Sequence, residues 1–432
     1  MNNARRICIW LVCVVLSAGC ASRHASPSTP SAQAGRTVVV WISVDGLRHD
    51  YVQRYHPPLL SRLAREGAFT TQLVPVFPSL TFPSHCSEAT GVTTDRHGVT
   101  MNAFYDATSH QQLNMPADSR WLQAEPIWIT ASRQHVRTAV FDWPLSYVQT
   151  GPVRSDYFAE DYSKDWDDLQ RLENVLSIWR HDSASEPREP LRLVMAYVSH
   201  LDSVGHKYGP DSPEVGETLV EMDALLDSFL QQAIEMFDER MTRDDELYVL
   251  ITTDHGMSPV HTQVNLERLL GWTCAERLRI VTSGSVAHVW LDRLPPYERA
   301  ARREAVLARL KQYKFVDAWT REGVPKEWRY DHPTRVGDIV VSLKRGYTFT
   351  SKRDAPTKPV VEGASHGMHG YPPSDNPDMM GFAVLWRYRK PLGGSDLGRV
   401  DSLQIHPTVA NILGIAPAPG ATGKVIPIGI AK

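Results

Sequence analysis

Seven side chains in this sequence have types and spacings that could do chemistry together: Asp45, Thr81, Asp202, His206, Asp254, His255 and His369. Asp202 and His206 stand four apart in Asp202-Ser-Val-Gly-His206, so a helical turn would aim both at one point. Asp254 and His255 are adjacent, and His369 lies in Gly367-Met-His-Gly-Tyr371 with His366 just before it. Carboxylates and imidazoles without a thiolate suit zinc, with manganese or iron as the alternatives. Thr81 opens Thr81-Phe82-Pro83, and Pro at a first helical position is pre-set for helix entry. The reading therefore places Thr81 at a helix N-terminus, where unpaired N–H groups and the positive end of the dipole receive phosphate or a similar anion. An isolated Thr in that position is ordinarily a plain cap. The other six residues give this one a chemical reading.

These residues need a scaffold that brings them to one edge. Thr37–Val44 is an unbroken, largely β-branched run that turns at once through Asp45-Gly46, which suits a strand buried on both faces of a parallel sheet. The same pattern recurs where 191–199 leads into His200-Leu-Asp202 and where 247–253 leads into Asp254-His255-Gly256. Helical stretches are expected at about 57–66, 124–135, 165–181 and 212–240, so the fold class is α/β and doubly wound. Ligand-binding residues of open α/β sheets gather beyond the carboxyl ends of their strands, where Asp45, Asp202 and Asp254 fall. Residues 270–350 break this rhythm and read as a small inserted α+β lobe. A helix is expected near 298–311, and a closing helix at 403–413 is stopped by Gly414.

The first 20 residues read as an export signal: Arg5 and Arg6, an apolar run from Ile7 to Leu16, then Ser17-Ala-Gly-Cys20. The run is too short to span a bilayer. Cys20 fits the lipid-carrying cysteine of a lipoprotein, although Ser17 stands where such motifs place Leu; plain secretion is the alternative. Residues 21–36, rich in Ser, Ala and Pro, read as a flexible tether to a catalytic domain over 37–430. The expectation is a periplasmic or outer-membrane protein whose membrane tether is a lipid on Cys20. With 42% hydrophobic and 22% charged residues and a formal net charge of −3, the composition is that of a folded globular chain and gives no basic surface for duplex nucleic acid. Beyond the signal only Cys86 and Cys274 remain, too few for a disulfide framework.

At this point the chain resembles the nucleotide pyrophosphatase/phosphodiesterase family of the alkaline phosphatase superfamily. Seven blocks carry the likeness, in the family's order: Val44 to Arg48; Thr81 to His85; His97-Gly-Val99 with Asn102 and Tyr105-Asp106; Glu125 to Trp128; Asp202 to Pro210; Thr253 to Met257; and Gly367 to Tyr371. The resemblance implies an alkaline-phosphatase-like three-layer α/β/α sandwich and a site for two Zn2+. Asp45, Thr81, Asp254 and His255 would hold one ion, and Asp202, His206 and His369 the other. The family frame selects His369 over His366. Asn102 and the backbone N–H after Thr81 would hold a phosphate oxygen, while Phe82 and Tyr208 would lie near the leaving group or nucleobase. Trp143-Pro144 resembles a segment near the substrate pocket, but Leu145 stands where the family usually has Gly.

A threonine hydroxyl is a poor nucleophile at neutral pH and no general base stands beside Thr81 in the sequence, so its activation falls to metal. The implied reaction is hydrolysis of a phosphodiester or pyrophosphate through phospho-Thr81, releasing a nucleoside 5'-monophosphate. A dianionic monoester would call for an arginine clamp. The one nearby arginine, Arg96, lies in a turn-like stretch and reads as structural, which together with the neutral Asn102 favours a diester. His85, His97 and His200 read as structural hydrogen-bonding residues. A choline-type headgroup phosphodiesterase uses the same implied core and is the second reading; a non-catalytic surface binding protein, which has no need of Thr81, is the third.

Overall fold

The computed structural model describes residues 35–184, 189–350, 357–359 and 364–428. The expected export signal, Cys20 and nearly all of the expected tether lie outside these residues. Six strands form most of the central sheet: β1 (Thr37–Val44), β2 (Ala68–Val74), β3 (Thr138–Val140), β4 (Leu193–Val198), β5 (Glu246–Thr252) and β6 (Gly381–Arg387). Their spatial order is β2-β6-β5-β1-β4-β3, with short strands added at both edges. Only β6 runs against the others.

Eight helices matter here: α1 (Pro58–Glu66), α2 (Thr81–Thr90), α3 (Ile127–Arg133), α4 (Asp168–Ala184), α5 (His200–Tyr208), α6 (Pro213–Arg240), α7 (Pro296–Leu310) and α8 (Ile405–Leu413). Side chains of β1 alternate between the two faces, as strand geometry requires. Val38, Val40, Ile42 and Val44 pack with α1, α4 and α6, while Val39 and Trp41 pack with α2, α3 and α8. The result is a three-layer α/β/α sandwich in which β1 is buried on both sides, which explains its unbroken apolar run. None of the described helices is long and apolar enough to cross a membrane.

Parallel register brings the functional segments together. Val44 pairs with Val198, and Ser43 with Thr252. Asp45, Ser199 and Thr253 therefore leave the sheet side by side, and the catalytic candidates follow within a few residues of each. Elsewhere, Arg279–Ser283, Val286–Trp290, Ile339–Leu343 and Val316–Thr320 form a separate antiparallel sheet in that order, accompanied by α7. Its apolar side covers Phe77, Leu80 and Met101, the approach to α2. Arg335 fastens it further, donating from Nε to Asp106 at 2.7 Å and from Nη1 to the carbonyls of Gly98 (2.9 Å) and Trp121 (2.7 Å).

Candidate active site and metal centre

Thr81 is the first residue of α2, with Leu80 as its cap, so Pro83 occupies the third helical position and not the first. That corrects the expected register. Proline is tolerated throughout the first turn, because the N–H groups there have no intrahelical acceptor. The Thr81 side chain makes no capping bond; its Oγ1 lies 3.3 Å from Nε2 of His255. Asn102 Oδ1 accepts from the backbone N–H of Phe82 at 2.9 Å. The amide expected to hold a phosphate oxygen thus adjoins the N–H expected to do the same.

The three histidines share one arrangement. Nδ1 of His206 faces the Gly367 carbonyl at 2.8 Å, Nδ1 of His255 the Gly256 carbonyl at 3.0 Å, and Nδ1 of His369 the Ser79 carbonyl at 3.1 Å. A carbonyl can only accept, so in each neutral ring Nδ1 carries the proton and Nε2 presents a lone pair. Those Nε2 atoms face one another and the carboxylates. His206 and His369 stand 3.2 Å apart at Nε2, Asp202 Oδ2 is 3.3 Å from His206, and Asp202 Oδ1 is 3.7 Å from His369. His255 Nε2 is 3.0 Å from Asp254 Oδ2 and 3.6 Å from Asp45 Oδ1, and its ring stacks on His369 at 3.6 Å.

Two lone pairs cannot hydrogen-bond to each other. Asp45 Oδ1, Asp202 Oδ1 and Asp254 Oδ2 are also buried without a hydrogen-bond donor among the described residues. Buried charge of this kind is costly unless paired or bound to metal. Donor atoms of Asp202, His206 and His369 lie within 4.8 Å of one another, as do those of Asp45, Asp202 and His255. This donor set fits divalent cations, and Asp202 belongs to both groups.

Electrostatics carry the same mark. Burial, then the neighbouring Asp254 and Asp202, push the Asp45 carboxyl well above the usual range. Burial opposes ionisation of Asp254 as well, but His255 and His85 overcome it and hold that carboxyl below its ordinary value. His255 is raised: burial lowers it, and Asp254 more than compensates. His369 is lowered well below its usual value by burial and by His255 and His206. The cluster therefore holds one carboxyl that resists ionising and one imidazole that resists protonation, a conflict that bound cations resolve.

The remaining candidates separate. Phe82 is buried against Cys86, Val99, Phe104, Trp121 and Leu145. Tyr208 lies 43% exposed at the end of α5. Leu145 adopts the left-handed backbone at φ 63°, where a glycine costs nothing, and packs in the Phe82 cluster. His366 lines a groove beside His206 and is not among the clustered donors. His85 bonds Ser43 and the Thr81 carbonyl, His97 bonds Ser87 and the Val99 N–H, and His200 is exposed.

Sequence reading passed over two supporting residues. Tyr197 donates its hydroxyl to Asp45 Oδ2 at 2.5 Å. A tyrosine inside an otherwise apolar buried strand was the available signal, since its O–H must find a partner. Asp168 accepts from the N–H groups of Ser199 (3.0 Å) and His200 (3.1 Å), fixing the start of α5, which carries Asp202 and His206.

A three-layer sandwich with an acidic and imidazole cluster beyond the strand ends defines an alkaline-phosphatase-like α/β fold. The type I phosphodiesterase / nucleotide pyrophosphatase family matches residues 39–372, and the chain belongs to it. An uncharacterised pyrophosphatase/phosphodiesterase of Schizosaccharomyces pombe is 27% identical over 396 residues, covering 89% of this chain and 78% of its own. Mouse bis(5'-adenosyl)-triphosphatase enpp4 is 28% identical over 389 residues, covering 88% and 78%. Murine ectonucleotide pyrophosphatase/phosphodiesterase 5, solved as an inactive variant with AMP, superposes with a TM-score of 0.76 at 21% identity, covering 90% of this chain and 97% of its own.

Proposed function

We propose that this chain is an exported two-zinc phosphodiesterase and nucleotide pyrophosphatase that works through a phosphorylated Thr81. The observation that carries this reading is the convergence of three Nε2 lone pairs and three donor-less carboxylate oxygens beside the Thr81 hydroxyl. Asp45, Asp254 and His255, with Thr81, would hold one ion, and Asp202, His206 and His369 the other. Zinc bound there supplies the Lewis acidity that favours the ionised hydroxyl and neutralises charge on the reacting phosphoryl group.

Thr81 Oγ1 attacks phosphorus, and the bond to the departing oxygen breaks on the opposite side. The Asn102 side-chain N–H, placed at the start of α2 by the bond its Oδ1 accepts from the Phe82 N–H, donates to the non-bridging oxygen as its charge grows, and the Phe82 N–H would be shared between that oxygen and Asn102. Water then attacks the phospho-threonine, regenerating Thr81 and releasing a nucleoside 5'-monophosphate. Nucleotide substrates are supported by the bis(5'-adenosyl)-triphosphatase relative and by the AMP complex of the structural neighbour.

The test is hydrolysis of p-nitrophenyl thymidine monophosphate, p-nitrophenyl phosphate and p-nitrophenylphosphorylcholine by metal-analysed protein, with and without chelator. Two zinc per chain and chelator-sensitive turnover of the nucleotide diester support the proposal. Preference for the monoester overturns the diesterase reading, and preference for the choline ester replaces the nucleotide with a lipid headgroup. Export is tested by fractionation of cells producing the full chain and a Cys20→Ser variant.

A further inference from the structure

The inserted lobe meets the chain immediately ahead of both Thr81 and Asn102. Leu80, which precedes Thr81, and Met101, which precedes Asn102, are buried in one apolar cluster with Trp328, Tyr330 and Val336 of the lobe. Phe77, three residues before Leu80, has its ring centre 4.0 Å from that of Trp328 and 5.0 Å from that of Tyr330. The segments carrying the nucleophile and the phosphate-binding amide thus share one support.

Asn102 has no regular structure to hold it. Residues 98–102 belong to neither helix nor strand, lying between the short helical turn Thr94–His97 and the strand Ala103–Asp106. Buried carbonyls in such a stretch need donors from elsewhere in the fold. The loop between the lobe strands Val316–Thr320 and Ile339–Leu343 supplies them. Tyr330 donates its hydroxyl to the Thr100 carbonyl at 2.8 Å, and Arg335 donates from Nη1 to the Gly98 carbonyl at 2.9 Å. Thr100 in turn gives its own hydroxyl to the Arg335 carbonyl at 3.0 Å. Thr100, Tyr330 and Arg335 are all buried, so water does not compete for these bonds. The Tyr330 oxygen is itself fixed: its proton goes to Thr100, and it accepts from Nε2 of the buried His288 at 2.9 Å. The lobe therefore holds the backbone two and four residues before Asn102, whose Oδ1 meets the Phe82 N–H at 2.9 Å.

Resting on the phosphodiesterase reading above, we propose that Tyr330 and Arg335 are positioning residues for the reaction, holding residues 98–102 so that the Asn102 amide stands at the nucleophile. Their bonds go to backbone and not to the reacting groups. An amide stabilises growing charge best from a fixed position, because turning it during the reaction costs part of the energy it would supply. A displacement of about 1 Å can lower a rate by about a hundredfold. Charge on the non-bridging oxygen is greatest in the transition state, so loosening the hold falls on kcat and spares KM.

The experiment is a double-mutant cycle on the zinc-loaded full chain, measuring kcat and KM for p-nitrophenyl thymidine monophosphate in the wild type, Tyr330→Phe, Asn102→Ala and the double variant. Tyr330→Phe keeps the ring beside Phe77 and removes only the oxygen. It should lower kcat roughly tenfold with KM within about threefold. Asn102→Ala should lower kcat about a hundredfold or more. The double variant should match Asn102→Ala within about threefold, since an amide already absent cannot be misplaced. Thr100→Val, which removes the hydroxyl given to Arg335, carries the same cycle if Tyr330→Phe does not fold. As a control, Val306→Ala loosens the lobe's other apolar cluster, to which Met101 does not belong, and should keep kcat within about twofold. A Tyr330→Phe kcat within about twofold of the wild type overturns the proposal, as do losses that multiply in the double variant. An equal loss in Val306→Ala overturns it too, because the effect would then be general loosening of the lobe. Full activity in Asn102→Ala leaves no amide to position and also overturns it. A zinc-loaded wild type inactive on the ester would instead overturn the underlying phosphodiesterase reading.

Discussion

Replacing Tyr197 by Phe removes one oxygen from the centre of the protein and tests whether Asp45 is a metal ligand. In the wild type the Tyr197 hydroxyl donates to Asp45 Oδ2 at 2.5 Å, leaving Oδ1 without a donor. Both residues are buried, so water does not replace the lost bond. A hydrogen bond to a charged group contributes about 1.5–3 kcal/mol. At about 1.4 kcal/mol per factor of ten, the loss should weaken zinc binding about 10- to 100-fold, the scale of outer-shell partners elsewhere. The direction of the pH effect also follows. Burial, Asp254 and Asp202 already raise the Asp45 carboxyl well above its ordinary value, and the missing hydroxyl raises it further. Zinc must displace that proton, so the gap in affinity between wild type and Tyr197→Phe should widen as the pH falls. The assay is zinc competition against a chromophoric chelator at pH 8, 7 and 6, with circular dichroism to show that the fold persists. Affinities equal within about threefold at pH 7, or a loss that does not change with pH, would refute the assignment of Asp45 as a ligand.

Thr81→Ala should retain zinc within about tenfold while losing at least about a thousandfold in turnover, and Thr81→Ser should retain measurable turnover; mass spectrometry of the acid-quenched wild type checks for a phosphate on residue 81. Arg335→Ala should cost about 3 kcal/mol or more in urea unfolding, because it removes the cation paired with the buried Asp106, leaving Oδ2 and two carbonyls without their donor while Oδ1 keeps Thr108 and Ser109; a change below about 1 kcal/mol would mean that the lobe is held by its apolar face alone. Burial drives His97 and His288 down to about 3 and His406 to about 4. Unfolded histidine titrates near 6.5, so between there and the folded values the unfolded chain binds more protons. Stability should be fully present above about pH 6.5 and fall as the pH drops, by up to about 1.4 kcal/mol per unit for each histidine; flat stability from pH 7 to 5 would contradict it.

The parts of this protein that the sequence made legible are those where a local pattern and the three-dimensional constraint coincide. An unbroken β-branched run announced β1 because a strand covered on both faces has no solvent side to mark with polar residues. Its sequel, Asp45-Gly46, announced an edge because the parallel register with β4 and β5 brings all three carboxylate segments out together. Two features were less legible. Thr81 opens α2 as read, but Pro83 stands third in the helix and not first, since proline is acceptable at any position of a first turn and so marks the turn without fixing the register. Tyr197 was passed over because its partner lies 152 positions away on the adjacent strand, and a single sequence carries no record of such a pairing.

The histidines show why the site was more legible than its supports. A ligand must be of one of a few residue types, so Asp202, His206, Asp254 and His255 stood out by chemistry, whereas His369 was separated from His366 only by the frame of the family it resembles. What turns each ring is a backbone carbonyl, of Gly367, Gly256 and Ser79 in turn. Every residue has such a carbonyl, so no residue type betrays it. The choice of His369 over His366 turns on this point. His369 points Nε2 into the cluster because the backbone carbonyl of Ser79, two residues before Thr81, accepts a hydrogen bond from its Nδ1–H. The segment that carries Thr81 therefore also orients a residue of the other donor set, and a change in the entry to α2 would disturb both sets together.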